Sequence, residues 1–225
     1  MATTIASDIR EEIKDRHAIE GTAYDDTIDR KVILACEEIC SVDFSFLYVP
    51  SSTIQVTQNT IVYSTDANFK KLDEDNIYIG SSKNKLIPGT MNHIYFNPPA
   101  TTGMPRMFHV AGLDSTNIRT IYIGYPTADA GYIVYYGWWR KHGSFTTGQV
   151  PLIVTVHNSA PVVAYASFLL NKELGLRADA QDDLAEFLGL MREMEDAYGY
   201  SGRSYDEIMK LREQYRKHMA AATEG

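Results

Sequence analysis

"GYIVYYGWWRKHG", Gly131–Gly143, sets two tryptophans side by side, with three tyrosines before them and three basic residues directly after. Successive residues of a strand point to opposite faces. One face is then Tyr132, Val134, Tyr136, Trp138 and Arg140, and the other is Ile133, Tyr135, Gly137 and Trp139. Both faces are apolar, so such a strand must be covered on both sides. Three covers are open: the rest of its own fold, another protein chain, or a sugar or base stacked on the rings. Trp, Tyr and Arg are enriched at protein interfaces, which makes Tyr136, Trp138, Trp139, Arg140 and Lys141 candidate interface residues.

Upstream, the chain reads as a series of short runs rich in β-branched and aromatic residues. They are "FSFLYV" (44–49), "TIQVT" (53–57), "TIVYS" (60–64), "NIYIG" (76–80), "HIYFN" (93–97), "RMFHVAG" (106–112) and "IRTIYIGY" (118–125). Turn residues separate them, among them Pro50-Ser51-Ser52, Gln58-Asn59, Pro88-Gly89 and Asn97-Pro98-Pro99. That spacing predicts an antiparallel sandwich or barrel.

Helical periods flank the strands. Ile5, Ile9 and Ile13 recur every fourth residue, and Ile28, Val32, Ala35, Cys36 and Ile39 form one stripe, with Asp25 or Asp26 as the expected cap. After Pro151, Val162, Tyr165, Ala166, Leu169 and Leu170 share a face, with Ser159 as the expected cap and Gly175 as the stop. A further helix starts near Asp179, with Asp182 and Asp183 favouring its N-terminal dipole, and buries Leu184, Phe187, Leu188, Met191 and Tyr198. The last helix opens on Ser204 and Glu207, a capping box, and carries a thin stripe of Ile208, Leu211, Tyr215 and Met219. The expected fold class is therefore α+β: a four-helix bundle with an inserted antiparallel β-sandwich or barrel and a C-terminal helical extension. The divisions are 1–43 and 151–199 for the two bundle halves, 44–142 for the β insertion and 200–225 for the extension.

The chain has 225 residues, 44% of them hydrophobic, which suffices for a real core in one domain with an insertion. A net charge of −8 disfavours a tight nucleic-acid binder, whose affinity comes from Lys and Arg. Cys36 and Cys40, one helical turn apart, read as small core residues in a reducing compartment. The N-terminal residues lack an apolar signal core, and no apolar run reaches the roughly 20 residues that span a bilayer. A soluble protein made in the cytoplasm is expected.

No GxGxxG, Walker A, GxSxG or HExxH pattern is present, and neither a cofactor, a metal nor a catalytic set is expected. "KLDEDN" (71–76) offers three carboxylates without the ligand spacing of an EF-hand, and reads as a solvated turn. "HNS" (157–159) puts Ser159 where a cap belongs, and His93 and His109 sit in strand-like runs without an acid partner.

The order of elements and several stretches carry a resemblance over about Asp26–Tyr198. The stretches are "IDRKVILACEEICSVDFSFLYVPSSTIQVTQNTIVYS", "GMPRMFHVAG", "IRTIYIGYPTADAGYIVYYGWW" and "PLIVTVHNSAPVVAYASFLLNKELG". The chain resembles the head-to-tail adaptor proteins of tailed bacteriophages, the group that includes tail tubular protein A of short-tailed phages. The resemblance implies a structural virion protein, not an enzyme. It would form a neck ring, usually of twelve copies, between the portal and the next tail or nozzle protein, with a lumen that passes DNA. It further implies a C-terminal segment that reaches onto the portal. Tyr205, Ile208, Leu211, Arg212 and Tyr215 are candidate contacts there, because a helix with so few apolar residues is marginal alone. An acidic wall repels phosphate, so acids facing the lumen would let DNA slide. The competing readings are a carbohydrate-binding sandwich with Trp138 and Trp139 as platform, and an enzyme with a scattered site.

Overall fold

The computed structural model describes residues 5–80, 83–96, 102–113, 118–124, 127–128, 131–141 and 152–199. They fall into two units, one drawn from Met1–Phe46 and His142–Gly225, the other from Leu47–Lys141.

The first unit is helical: α1 (Ile5–Arg16), α2 (Asp25–Ile39), the short α3 (Leu152–Val156), α4 (Ala160–Leu174) and α5 (Arg177–Tyr198). A helix apolar on every side belongs in the interior, and α4 is such a helix. Val162, Val163, Ala164, Ala166, Ser167, Phe168, Leu170 and Asn171 are all buried. It packs against α5, α2 and α1. Pro161 stands in its first turn, where a missing N–H costs nothing. Gly175 ends it at φ 76°, and the N–H of Leu176 donates to Asn171 O at 2.9 Å. On α2 the predicted stripe Ile28, Val32, Ala35, Cys36 and Ile39 is buried. Cys36 and Cys40 are free thiols in the interior, and burial pushes the Cys36 thiol up.

Ser159 occupies the N-cap position of α4 as expected, but neither expected side-chain cap bond is made. Asp25 lies inside the first turn of α2, behind Tyr24 at the N-cap position, and takes ion pairs from Arg10 (3.3 Å) and Lys14 (2.6 Å) instead. Ser159 donates its hydroxyl to Glu12 Oε2 at 3.1 Å, while Asn158 Oδ1 accepts the N–H of Ala160 at 3.0 Å. Both residues join segments that are distant in sequence, and that use outcompetes the local cap.

The described residues of the second unit form ten strands: β1 (Tyr48–Gln55), β2 (Val62–Ser64), β3 (Phe69–Ile79), β4 (Asn84–Lys85), β5 (Ile87–Pro88), β6 (Thr102–Gly103), β7 (Met107–Leu113), β8 (Arg119–Gly124), β9 (Thr127–Ala128) and β10 (Ile133–Arg140). One sheet runs β1-β10-β3-β4, wholly antiparallel. A second runs β2-β8-β7-β5, with β5 parallel to β7, and β6 and β9 make a small parallel pair. Residues from both larger sheets share a single core, among them Ile54, Ile77, Phe108, Ile121, Ile123, Val134 and Trp138. The described residues form a mixed α+β structure with two antiparallel-rich sheets and no closed barrel.

Four segments depart from the sequence reading. In "FSFLYV" (44–49), Ser45–Leu47 is a 3-10 turn and the strand starts only at Tyr48. "HIYFN" is no strand; Asn92–Phe96 is a π-helical turn that buries Ile94 and exposes Tyr95 and Phe96. "KLDEDN" is no turn; it lies inside β3, where Leu72 is buried and the register shifts between Tyr136 and Trp138 on the partner strand. Pro50-Ser51-Ser52 is a β-bulge within β1, marked by a register shift between Val49 and Ser52. No helix among the described residues is long and apolar enough to cross a membrane.

Candidate functional site

β10 is a central strand, paired with β1 on one side and β3 on the other. That placement sorts its aromatic residues. Val134, Tyr136 and Trp138 point into the core, with Tyr136 and Trp138 each 5% exposed. The Trp138 ring stacks on Phe69 at 5.6 Å, and its indole Nε1–H donates to Ser52 Oγ at 2.8 Å, so the one polar atom of the buried ring is satisfied. Burial also raises the pKa of the Tyr136 phenol. Tyr136 and Trp138 were candidate interface residues; they are core residues, and their surface is spent inside the chain.

The opposite face is dressed by neighbouring strands. Trp139 sits across from Tyr48 in register, their rings 4.8 Å apart, and Lys71 Nζ lies 4.7 Å from the Trp139 ring centroid. Tyr135 stacks on Tyr78 at 5.4 Å, with Lys83 Nζ 5.8 Å from the Tyr78 ring. Gly137 makes this arrangement possible. A Cβ there would lie 2.2 Å from Tyr48 Oη and 2.5 Å from Asn76 Nδ2. The phenol crosses that gap to donate to Asp73 Oδ2 at 2.7 Å, and it accepts from Asn76 Nδ2 at 2.8 Å. Desolvation, then the bond to Asp73, raises the Tyr48 pKa. Asp73, read from sequence as one acid of a solvated turn, thus anchors an aromatic pair.

Of the remaining candidates, Arg140 is half-buried and stands opposite Phe69 in register. Lys141 is exposed, and its backbone N–H donates to Asn68 O at 2.7 Å. Tyr205, Ile208, Leu211, Arg212 and Tyr215 lie outside the described residues. Trp138 and Trp139 do not form one shared platform: the first ring is in the core, and the second lies between Tyr48 and Lys71.

The structure assembles two groupings that the sequence reading missed. In the helical unit, Arg16 at the end of α1 reaches Asp183 on α5 at 2.6 Å and also pairs with Glu186. The Asn171 amide of α4 donates to the other Asp183 oxygen at 2.8 Å. Burial raises the Asp183 pKa, against the pull of Arg16. Desolvation lowers the pKa of the adjacent His17, against the attraction of Asp183 and Asp179. The "DD" pair was assigned to the helix dipole, yet Asp183 is buried and works as a tertiary ligand for an arginine 167 positions away. In the β unit, the outward row Val62, Tyr122 and His109 is joined by Tyr95, whose ring meets Tyr122 edge-on at 5.6 Å, and by Phe96, edge-on to Tyr95 at 5.1 Å. Reading "HIYFN" as a strand hid this cluster.

Among the described residues, no group of three His, Cys, Asp or Glu is placed to share a metal ion. Compared with known proteins, the chain matches no family model and no curated protein.

Proposed function

We propose that this chain is a structural subunit of a head-to-tail adaptor ring in a tailed-phage virion. The observation that carries the reading is the layout of the chain: a helical unit drawn from both ends, interrupted by a β unit at Leu47–Lys141. The same layout underlies the resemblance to the adaptor family. On this reading the helices α1, α2, α4 and α5 act as a four-helix bundle and the two larger sheets as a sandwich. Copies of the chain, twelve in the family pattern, sit between a portal and the next tail protein. The segment from Ser204 onward docks on the portal, and the lumen passes DNA without binding it. The helical residues 5–46 and 152–199 hold eight Lys or Arg against nineteen Asp or Glu, a net of −11, which suits a wall that repels phosphate.

Mixing the purified full-length protein with a portal protein from the same phage, and imaging the mixture by electron microscopy, tests the reading. Rings seated coaxially on the portal are expected, and loss of residues from Ser204 onward should weaken that seating. A protein that ignores the portal at every concentration would sink the proposal.

A further inference from the structure

The helix α1 is held differently from the rest of its unit. Among its described residues the apolar side chains that it buries are Ile9 and Ile13, whereas α2 buries a continuous stripe and α4 is covered on nearly every side. The other fastenings of α1 are charged or polar. Arg10 donates to Asp29 at 2.8 Å and pairs with Asp25, Lys14 reaches Asp25 at 2.6 Å, and Arg16 reaches Asp183 at 2.6 Å. Glu12 accepts the Ser159 hydroxyl at 3.1 Å. Three cations of α1 thus close over carboxylates of α2 and α5. A twelve-residue helix is marginal by itself in water, so these contacts decide whether α1 is helical and docked at all.

The bed beneath α1 is polar. Ser159, Val163, Ser167 and Asn171 are spaced by four and make one line along α4 from its N-cap. Ser159 at one end of the line bonds Glu12 of α1, and Asn171 at the other shares Asp183 with Arg16 of α1. Ser167 lies between them and is wholly buried, yet its Oγ has no hydrogen-bond partner among the described residues, and neither has Asn171 Oδ1. His17 Nε2, just past the end of α1, is buried in the same condition. An unpaired buried polar atom raises the free energy of the closed state, and water pairs it once the cover lifts. The connection to α2 acts in the same sense. Ala18 holds φ 50°, a left-handed value that is costly for a residue with a β-carbon and that opening would release.

We infer that α1 is a releasable strap: it opens as one body while α2, α4 and α5 stay folded, and it bares the Ser167–Asn171–Asp183 seam to water. Hydration of that seam offsets the exposure of Ile9 and Ile13. The balance then rests on ion pairs, which salt weakens. The packing of α2 on α4, and of α4 on α5, does not depend on them. The inference concerns a single copy of the chain, goes beyond the adaptor reading, and stands or falls apart from it.

Native-state hydrogen exchange of the full chain tests it. The amides from Ile9 to Arg16 should share one protection, at least about tenfold weaker than that of α4 and α5. Raising the salt from about 0.05 M to about 0.5 M should weaken it by about a further threefold or more and leave α4 and α5 unchanged. Arg10→Gln should weaken it about fivefold or more, again in α1 alone, since a charge-assisted fork is lost. A thiol readout checks the seam itself. Ser167→Cys is a nearly isosteric change, and below the melting transition its thiol should react with a disulfide reagent at least about tenfold faster than Cys36 and Cys40. Those two are buried and report the opening of α2 and its C-terminal end. Unchanged melting shows that the variant folds, and the exchange measurement on the native chain needs no variant.

Equal protection of α1, α4 and α5 overturns the inference, because α1 would then leave only when the whole unit unfolds. Three thiols that react together do the same. So does an opening of α1 that ignores both salt and Arg10→Gln, since apolar contact alone would then hold it.

Discussion

At Gly137 the requirement is for a missing atom. The Tyr48 phenol lies where a β-carbon would be, and a Cβ would also come within 2.9 Å of Tyr48 Cζ. Gly175 is held by a different force. It adopts φ 76° at the end of α4, and nothing lies within 4 Å of an added Cβ. The two alanine variants should therefore behave differently. Gly175→Ala is expected to cost about 1 kcal/mol, the backbone penalty of the left-handed region alone, whatever its neighbours. Gly137→Ala is expected to cost about 1–2 kcal/mol by displacing Tyr48 from Asp73 and Asn76. In a Tyr48→Ala background that cost should nearly vanish, giving a coupling energy of about 1 kcal/mol or more by double-mutant cycle in urea denaturation. Additive costs would mean that the phenol is not what Gly137 makes room for.

At the scale of elements, α1 is fastened by charge as well as by Ile9 and Ile13. Arg10 reaches Asp29 and Asp25, Lys14 reaches Asp25, and Arg16 reaches Asp183. His17 follows directly, with a lowered pKa and no hydrogen-bond partner for its buried Nε2 among the described residues. A histidine whose folded pKa lies below its unfolded value binds fewer protons in the native state. It contributes stability that is present near neutrality and is lost as pH falls through the unfolded value near 6.5. Asp183 has the opposite sign, since its raised folded pKa makes protonation favour the native state, and its window lies at more acid pH. The melting temperature should thus decline as pH drops below about 6.5, and His17→Gln should flatten that decline without changing it at more acid pH. An equal decline in both proteins would remove His17 as the cause.

The same scale shows what a sequence exposes. Helical stripes at Ile28–Ile39 and Leu184–Met191 were legible because each helix buries one face and leaves the other to polar residues. α4 was legible as a helix but not as the axis: of the face read as Val162, Tyr165, Ala166, Leu169 and Leu170, Tyr165 and Leu169 are only half-buried, while Val163, Ser167 and Phe168 outside it are buried. In "HIYFN" a short apolar run satisfied the strand period while only Ile94 is buried, and in "KLDEDN" charge suggested a loop although β3 continues through it. Alternation correctly divided the residues of β10 into two faces. Which face meets the core depended on pairing with β1 and β3, and the long-range partners Ser52, Phe69 and Tyr48 leave no local trace.

For the whole molecule, the β unit begins and ends on neighbouring strands. Tyr48, the residue after the boundary at Leu47, stands opposite Trp139, two residues before the boundary at Lys141. Directly opposed residues of an antiparallel pair lie about 4.5–5.5 Å apart at their α-carbons. The insertion therefore leaves and returns at one point, and its core, from Ile54 to Trp138, is supplied wholly from within it. A unit with its own core and closed ends meets the conditions for folding alone. Leu47–Lys141 expressed by itself should melt cooperatively and keep near-ultraviolet ellipticity from the buried Trp138. Substituting Trp138→Ala in the excised unit should cost about 3–5 kcal/mol, the range for a large ring removed from a packed interior. Trp139→Ala should cost clearly less, because that ring is covered on one side by Tyr48 and on the other only by a lysine. A non-cooperative melt of the excised unit would show that its core needs the helices, and the insertion would then be a feature of the sequence order alone.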